Sequence, residues 1–154
     1  VNRDPAPATR LTVPTPFGPV TLVEERGLLV RLSWREDPGE ATPLLEEAAA
    51  QLRAYFDRRL TRFDLALDWG EALNGAVRRA MAEIPFGETR TYGQIAKAVG
   101  APAQAVGQAC GANRLPIVIP CHRVTGTDWF GGFSAPGGVE TKAALLRHEG
   151  ALLL

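Results

Sequence analysis

Pro116-Ile117-Val118-Ile119-Pro120-Cys121-His122-Arg123-Val124 places a thiol directly beside an imidazole, at the end of a short apolar run and just after a proline. The thiolate is the reactive form of cysteine, and a neighbouring imidazolium or base favours it. Proline fixes its own φ and biases the residue before it to an extended shape, so Cys121 is expected on a stiff turn. Two readings stand at this point. The pair is either a nucleophile with its base, or a buried structural cysteine beside a capping histidine.

The flanks are helical in pattern. Thr91 suits the N-cap of a short helix through Val99, which Gly100 ends. Pro102 opens a second helix from Ala103 to about Cys110. Two short helices joined by Gly-Ala-Pro have the shape of a helix-turn-helix, or of an ordinary helical hairpin. The second is built of small residues that would not block approach to a groove. Further upstream, Glu71–Glu83 carries Leu73, Val77, Ala80 and Met81 at helical spacing, with Ile84 after them, until Pro85-Phe86-Gly87 stops the pattern. Downstream, a glycine-rich loop from Gly126 to Gly138 holds Trp129, Phe130 and Phe133. A last helix follows from Val139 to Glu149, with Ala143, Leu145 and Leu146 on its core face and Lys142 and Arg147 as polar positions. Ala151–Leu154 reads as an apolar tail packed on the domain.

The N-terminal part differs in character. Residues 1–9 read as a mobile tail and residues 10–70 as a small α/β domain, followed by residues 71–154 as a second, mainly helical one. Leu11–Val13, Val20–Glu24 and Leu28–Trp34 are β-like runs with turns at Phe17-Gly18-Pro19 and Arg26-Gly27, an antiparallel meander. Thr42 and Pro43 start a helix to about Arg58. Phe63–Leu67 alternates like one more strand, or is an extended linker.

The chain has 154 residues, 45% of them hydrophobic, enough for one ordinary core or two small ones. Its 17 basic and 17 acidic residues cancel, but not evenly. From Thr89 to Thr127 there are four basic residues and no Asp or Glu, whereas the first 84 residues hold 11 basic and 13 acidic. An acid-free stretch around the Cys-His pair tolerates a polyanion. A four-ligand metal site would need both cysteines and both histidines, so no metal is expected. The absence of an export-like segment or a membrane-length apolar run, with free thiols, points to the cytoplasm.

Ile119-Pro120-Cys121-His122-Arg123-Val124 resembles the active-site signature of the methylated-DNA–protein-cysteine methyltransferases, the O6-alkylguanine-DNA alkyltransferases. Ile84-Pro85-Phe86-Gly87-Glu88-Thr89-Arg90-Thr91-Tyr92-Gly93-Gln94-Ile95-Ala96 is similar to the family's approach to its helix-turn-helix. Asn113, Gly137-Gly138, Lys142, His148-Glu149-Gly150 and Thr15-Pro16-Phe17-Gly18-Pro19 match further family positions. The resemblance implies an N-terminal α/β domain and a winged-helix-like C-terminal domain. It implies a monomer without cofactor that binds double-stranded DNA in the minor groove and flips out an alkylated guanine. The alkyl group on O6 of guanine, or O4 of thymine, then passes irreversibly to Cys121. His122 draws the Cys121 proton, through a bridging water, and Glu149 orients His122. Tyr92 donates to the leaving base, and Asn113 pins the turn. Arg123, Val124, Ser134 and Ala135 belong to the substrate and DNA contacts.

Two positions depart from the family pattern. Gln104 stands where the family carries the arginine that enters the base stack, and glutamine brings no charge. Ala135 stands where the family has a tyrosine beside its Gly-Gly pair, on one pocket wall. Both leave open an alternative, a non-enzymatic alkyltransferase-like binder of alkylated DNA.

Overall fold

The computed structural model describes residues 9–128 and 131–152. The chain divides into two compact units, with the break between Asp68 and Trp69. Trp129 and Phe130, nearly all of the 1–9 tail and the last two residues of the apolar terminus lie outside the described residues.

In the first unit, β1 (Arg10–Thr15), β2 (Gly18–Glu25) and β3 (Leu28–Ser33) form an antiparallel sheet in that order. Period-two alternation turns Val13, Val20 and Leu22 inward, and in β3 a register shift opposite Val23 and Glu24 lets Leu29 and Leu32, three apart, both be buried. Arg26 and Gly27 join β2 to β3 and both have positive φ, 54° and 78°. That is what a two-residue hairpin turn matching the sheet twist requires. The helix α1 (Pro43–Phe56) starts where a cap and a proline coincide. The Thr42 hydroxyl accepts from the Leu45 N–H at 3.2 Å, worth about 1 kcal/mol, and Pro43 gives up no needed donor. α1 packs on the sheet, and its Leu45, Leu52 and Tyr55 are fully buried. Each such side chain contributes roughly 1.5–3 kcal/mol. The Phe63–Leu67 segment is the extended linker: a bridge between Leu67 and Leu29 joins it to the sheet, and the Gln51 amide holds the backbone of Asp64 at both ends.

The second unit is mainly helical: α2 (Ala72–Ala82), α3 (Tyr92–Val99), α4 (Ala103–Gly111) and α5 (Val139–His148). A reciprocal cap starts α3. Thr91 accepts from the Gln94 N–H at 3.1 Å while the Gln94 side chain accepts from the Thr91 N–H at 2.8 Å. α2, α3 and α4 pack on one another around Val77, Met81, Ile95 and Val106, all buried. The sequence pattern did not anticipate a two-stranded parallel pair, β4 (Arg90–Thr91) with β5 (Val124–Thr125). It ties the start of α3 to the segment just after the Cys-His turn.

Candidate active site

The site is built on the chain between α4 and β5. Asn113 follows the end of α4. Its Nδ2 donates to the Ile119 carbonyl at 2.9 Å, and its Oδ1 accepts from the Leu115 N–H at 3.1 Å. The clasp closes the apolar run on itself. Within it the Val118 N–H reaches the Pro116 carbonyl at 2.9 Å across Ile117, whose φ is +72°. A β-branched residue there is strained, at a cost on the order of 1–3 kcal/mol. Ile117 is fully buried, and its packing holds it in place. Pro120, at φ −80° and ψ 69°, makes the mirror-image turn, with the Cys121 N–H on the Ile119 carbonyl at 2.8 Å. Cys121–Arg123 then form one turn of 3₁₀ helix. Cys121 thus rests on three consecutive tight constraints.

The β4–β5 pairing sets Tyr92 beside this turn. Tyr92 and Cys121 line one cleft of about 190 Å³, open to solvent, together with Asn113, Pro116, Ser134, Phe133 and Cys110. Gly131 lies against Tyr92 so closely that a Cβ there would overlap the phenol.

Behind Cys121 the side chains turn inward. His122 is fully buried, and its Nε2 lies 2.7 Å from Glu149 Oε2. Glu149 also accepts from Arg123, Nε to Oε1 at 2.8 Å and Nη2 to Oε2 at 3.0 Å. Burial alone would raise the Glu149 carboxyl, but the bonds and charges of His122 and Arg123 outweigh it and hold its pKa at about 2. Burial pushes the His122 imidazole down, against the pull of Glu149. An ionised Glu149 beside a neutral ring makes Nε2 the N–H donor. Nδ1 then carries the lone pair, and it has no hydrogen-bond partner among the described residues. Burial raises the Cys121 thiol. A bond from Asn113, the Lys142 charge and the N–H groups of Cys121 and His122 partly offset this. The resting group is the thiol, so a base must take its proton. Burial raises Tyr92 too, with Cys110 and Cys121 adding to the effect, and the phenol keeps its proton for donation.

Four of the expected contact residues do not line the cleft. Arg123 and Val124 are buried, not presented to a ligand. Arg123 is consumed by Glu149 and the Ile84 carbonyl, because a guanidinium in a dry interior needs a carboxylate. The Val124 carbonyl accepts from Lys142 Nζ at 2.6 Å. Gln104 is exposed on α4 and Ala135 is partly exposed; neither is among the residues that line the cleft. Sequence reasoning missed Lys142 as a working group. It is fully buried, bonds the Val124 and Gly132 carbonyls, and lies 5.9 Å from the Tyr92 ring. Burial lowers its pKa to about 8, while Cys121 and Cys110 pull it up. The available signal was position: Lys142, Leu145, Leu146 and Glu149 share one helical face. Cys110 also lines the cleft, but its Sγ donates to Met81 Sδ at 3.6 Å, and burial lifts its thiol to about 12, which leaves it inert. His148 sits edge-on to Phe86 at 6.3 Å.

A single activatable thiol on a cleft wall, backed by a neutral imidazole and a clamped carboxylate, defines a cysteine-nucleophile protein. Residues 72–151 match the family model described as 6-O-methylguanine DNA methyltransferase, DNA binding domain. The methylated-DNA–protein-cysteine methyltransferase of Mycobacterium tuberculosis is 40% identical over 90% of each chain. The constitutive one of Bacillus subtilis is 39% identical over 90% of this chain and 93% of its own. The crystal structure of the M. tuberculosis protein in complex with DNA superposes with a TM-score of 0.82 at 39% identity, covering 93% of each chain. The chain belongs to the methylated-DNA–protein-cysteine methyltransferase family.

Proposed function

We propose that Cys121 is the acceptor in direct reversal of DNA alkylation. The alkyl group on O6 of guanine, or O4 of thymine, moves to its sulfur once per protein molecule. The α3–α4 pair acts as the helix-turn-helix of a winged-helix-like unit and approaches double-stranded DNA from the minor groove, with Gln104 at the base stack. The alkylated base enters the cleft, and extrusion costs a few kcal/mol, least for a weakened pair. The Cys121 proton passes through a water to Nδ1 of His122, and Glu149 stabilises the imidazolium that forms. The sulfur attacks the alkyl carbon, a C–S bond forms, and the carbon–oxygen bond breaks. The electron pair stays on the base oxygen, which Tyr92 protonates. The chain acts as a monomer in the cytoplasm and uses no cofactor. Among the described residues no helix is long and apolar enough to cross a membrane.

One observation carries this reading: His122 Nε2 is committed to Glu149, which leaves Nδ1, without a partner among the described residues, as the basic atom of the residue adjoining Cys121, whose thiol shares the cleft with a Cys110 that is hydrogen-bonded to Met81. A binder without chemistry has no need of that arrangement. The test is to incubate the protein with a duplex holding one O6-methylguanine and weigh it intact. A gain of one methyl, mapped to the peptide holding Cys121, is expected. Tight binding with no change in mass refutes the transfer.

A further inference from the structure

Glu149 Oε2 receives two donors, His122 Nε2 at 2.7 Å and Arg123 Nη2 at 3.0 Å, and Oε1 takes Arg123 Nε at 2.8 Å. The guanidinium reaches further. Its Nη1 donates to the Ile84 carbonyl at 2.7 Å, and its central carbon lies 5.8 Å from the Phe86 ring centre. Gly87 brings its backbone so close to the Glu149 carbonyl that a Cβ would stand 3.2 Å away. The turn after α2 therefore lies against the arginine and against the backbone of Glu149.

A buried carboxylate shared with nothing but an imidazole would draw a second proton onto that ring. An imidazolium has no lone pair at Nδ1 and cannot take a proton from Cys121. We propose that Arg123 is a positioning residue that divides the charge of Glu149 and so keeps His122 in its neutral, proton-accepting form, with the Ile84–Gly87 turn as its anchor. This rests on the reading of His122 as the base for Cys121. The charged groups acting on the ring come from three places: Glu149 past the end of α5, Lys142 within α5 and Arg123 on its own turn. Glu149 favours the protonated ring; Arg123 and Lys142 oppose it. Burial is the larger cause that keeps the ring neutral, and the arginine adds to it from the back of the site, where DNA does not reach a residue 5% exposed.

The experiment follows the His122 ring nitrogens by NMR across pH in the parent protein, in Arg123→Lys and in Phe86→Leu, with His148→Asn to assign the two histidines. Methyl transfer is timed on the same samples. In the parent, His122 should be neutral at pH 7, with Nδ1 bare and Nε2 protonated. In Arg123→Lys, which keeps a charge but loses the fork, the His122 midpoint should move to higher pH. The ratio of transfer rates at about pH 6 and about pH 8 should fall roughly tenfold below the parent's. Phe86→Leu should shift both readouts the same way by less, and it decides the matter if Arg123→Lys does not fold. A doubly protonated His122 in the parent at pH 7, or midpoints unmoved in the folded variants, overturns the proposal. Failure of the parent to transfer methyl at any pH, with the ring behaving as expected, refutes the acceptor reading instead and supports the assignment of Arg123.

Discussion

Glu149→Gln tests the core of the site because it removes one charge and almost no volume. The parent carboxyl sits at about 2 against an ordinary value near 4.3, and that gap corresponds to about 3 kcal/mol of folding stability. The folded-state value is depressed, so the contribution is fully present above about pH 4.5 and is lost as pH falls towards about 2. In the variant, Arg123 keeps a buried guanidinium with no counter-charge, and breaking a buried pair from one side costs roughly 3–5 kcal/mol. The amide can still accept from the His122 Nε2–H but cannot stabilise an imidazolium, so methyl transfer should slow on the order of 10³-fold. Urea melts from about pH 7 to about pH 3 measure the first effect, and single-turnover transfer to a methylated duplex measures the second. Parallel stability curves for parent and variant, or a folded variant that transfers within about threefold of the parent, would refute the reasoning.

Cys121→Ala should abolish transfer and leave DNA affinity intact, as read by gel shift and intact mass together; loss of binding would mean that the thiol is structural. Gln104→Arg should tighten DNA binding and steepen its salt dependence by about one unit of log–log slope. An unchanged slope would place residue 104 away from the DNA. Lys142→Met removes the buried charge that lowers the Cys121 thiol, so the pH profile of Cys121 alkylation by iodoacetamide should move to higher pH; an unmoved profile would make the lysine a purely structural clamp.

Much of the architecture could be read from local chemistry. Thr42-Pro43, Thr91 with Gln94, and Gly100 with Pro102 each start or stop a helix by satisfying or withholding a backbone bond, and such signals need no knowledge of distant residues. The β4–β5 pair could not be read, because two residues carry no periodicity and their partnership is set by the fold around them. The same division runs through the site. Cys121, His122 and Asn113 announce themselves within one short segment, and Glu149 stood out as a carboxylate on the unfavourable end of a helix. Arg123 was expected among the substrate and DNA contacts, and it is buried against Glu149. Only the position of Glu149 across the fold reveals that the arginine faces inward.

The Asn113 clasp and the paired tight turns over Pro116–Cys121 leave this piece of backbone no slack. It behaves as a cassette of set length. Adding or deleting a single residue there would break the clasp at one end or swing the sulfur off the cleft at the other. Side-chain swaps along the run are a packing question, but its residue count is not negotiable, so a graft between relatives must carry it whole, from the asparagine through the cysteine.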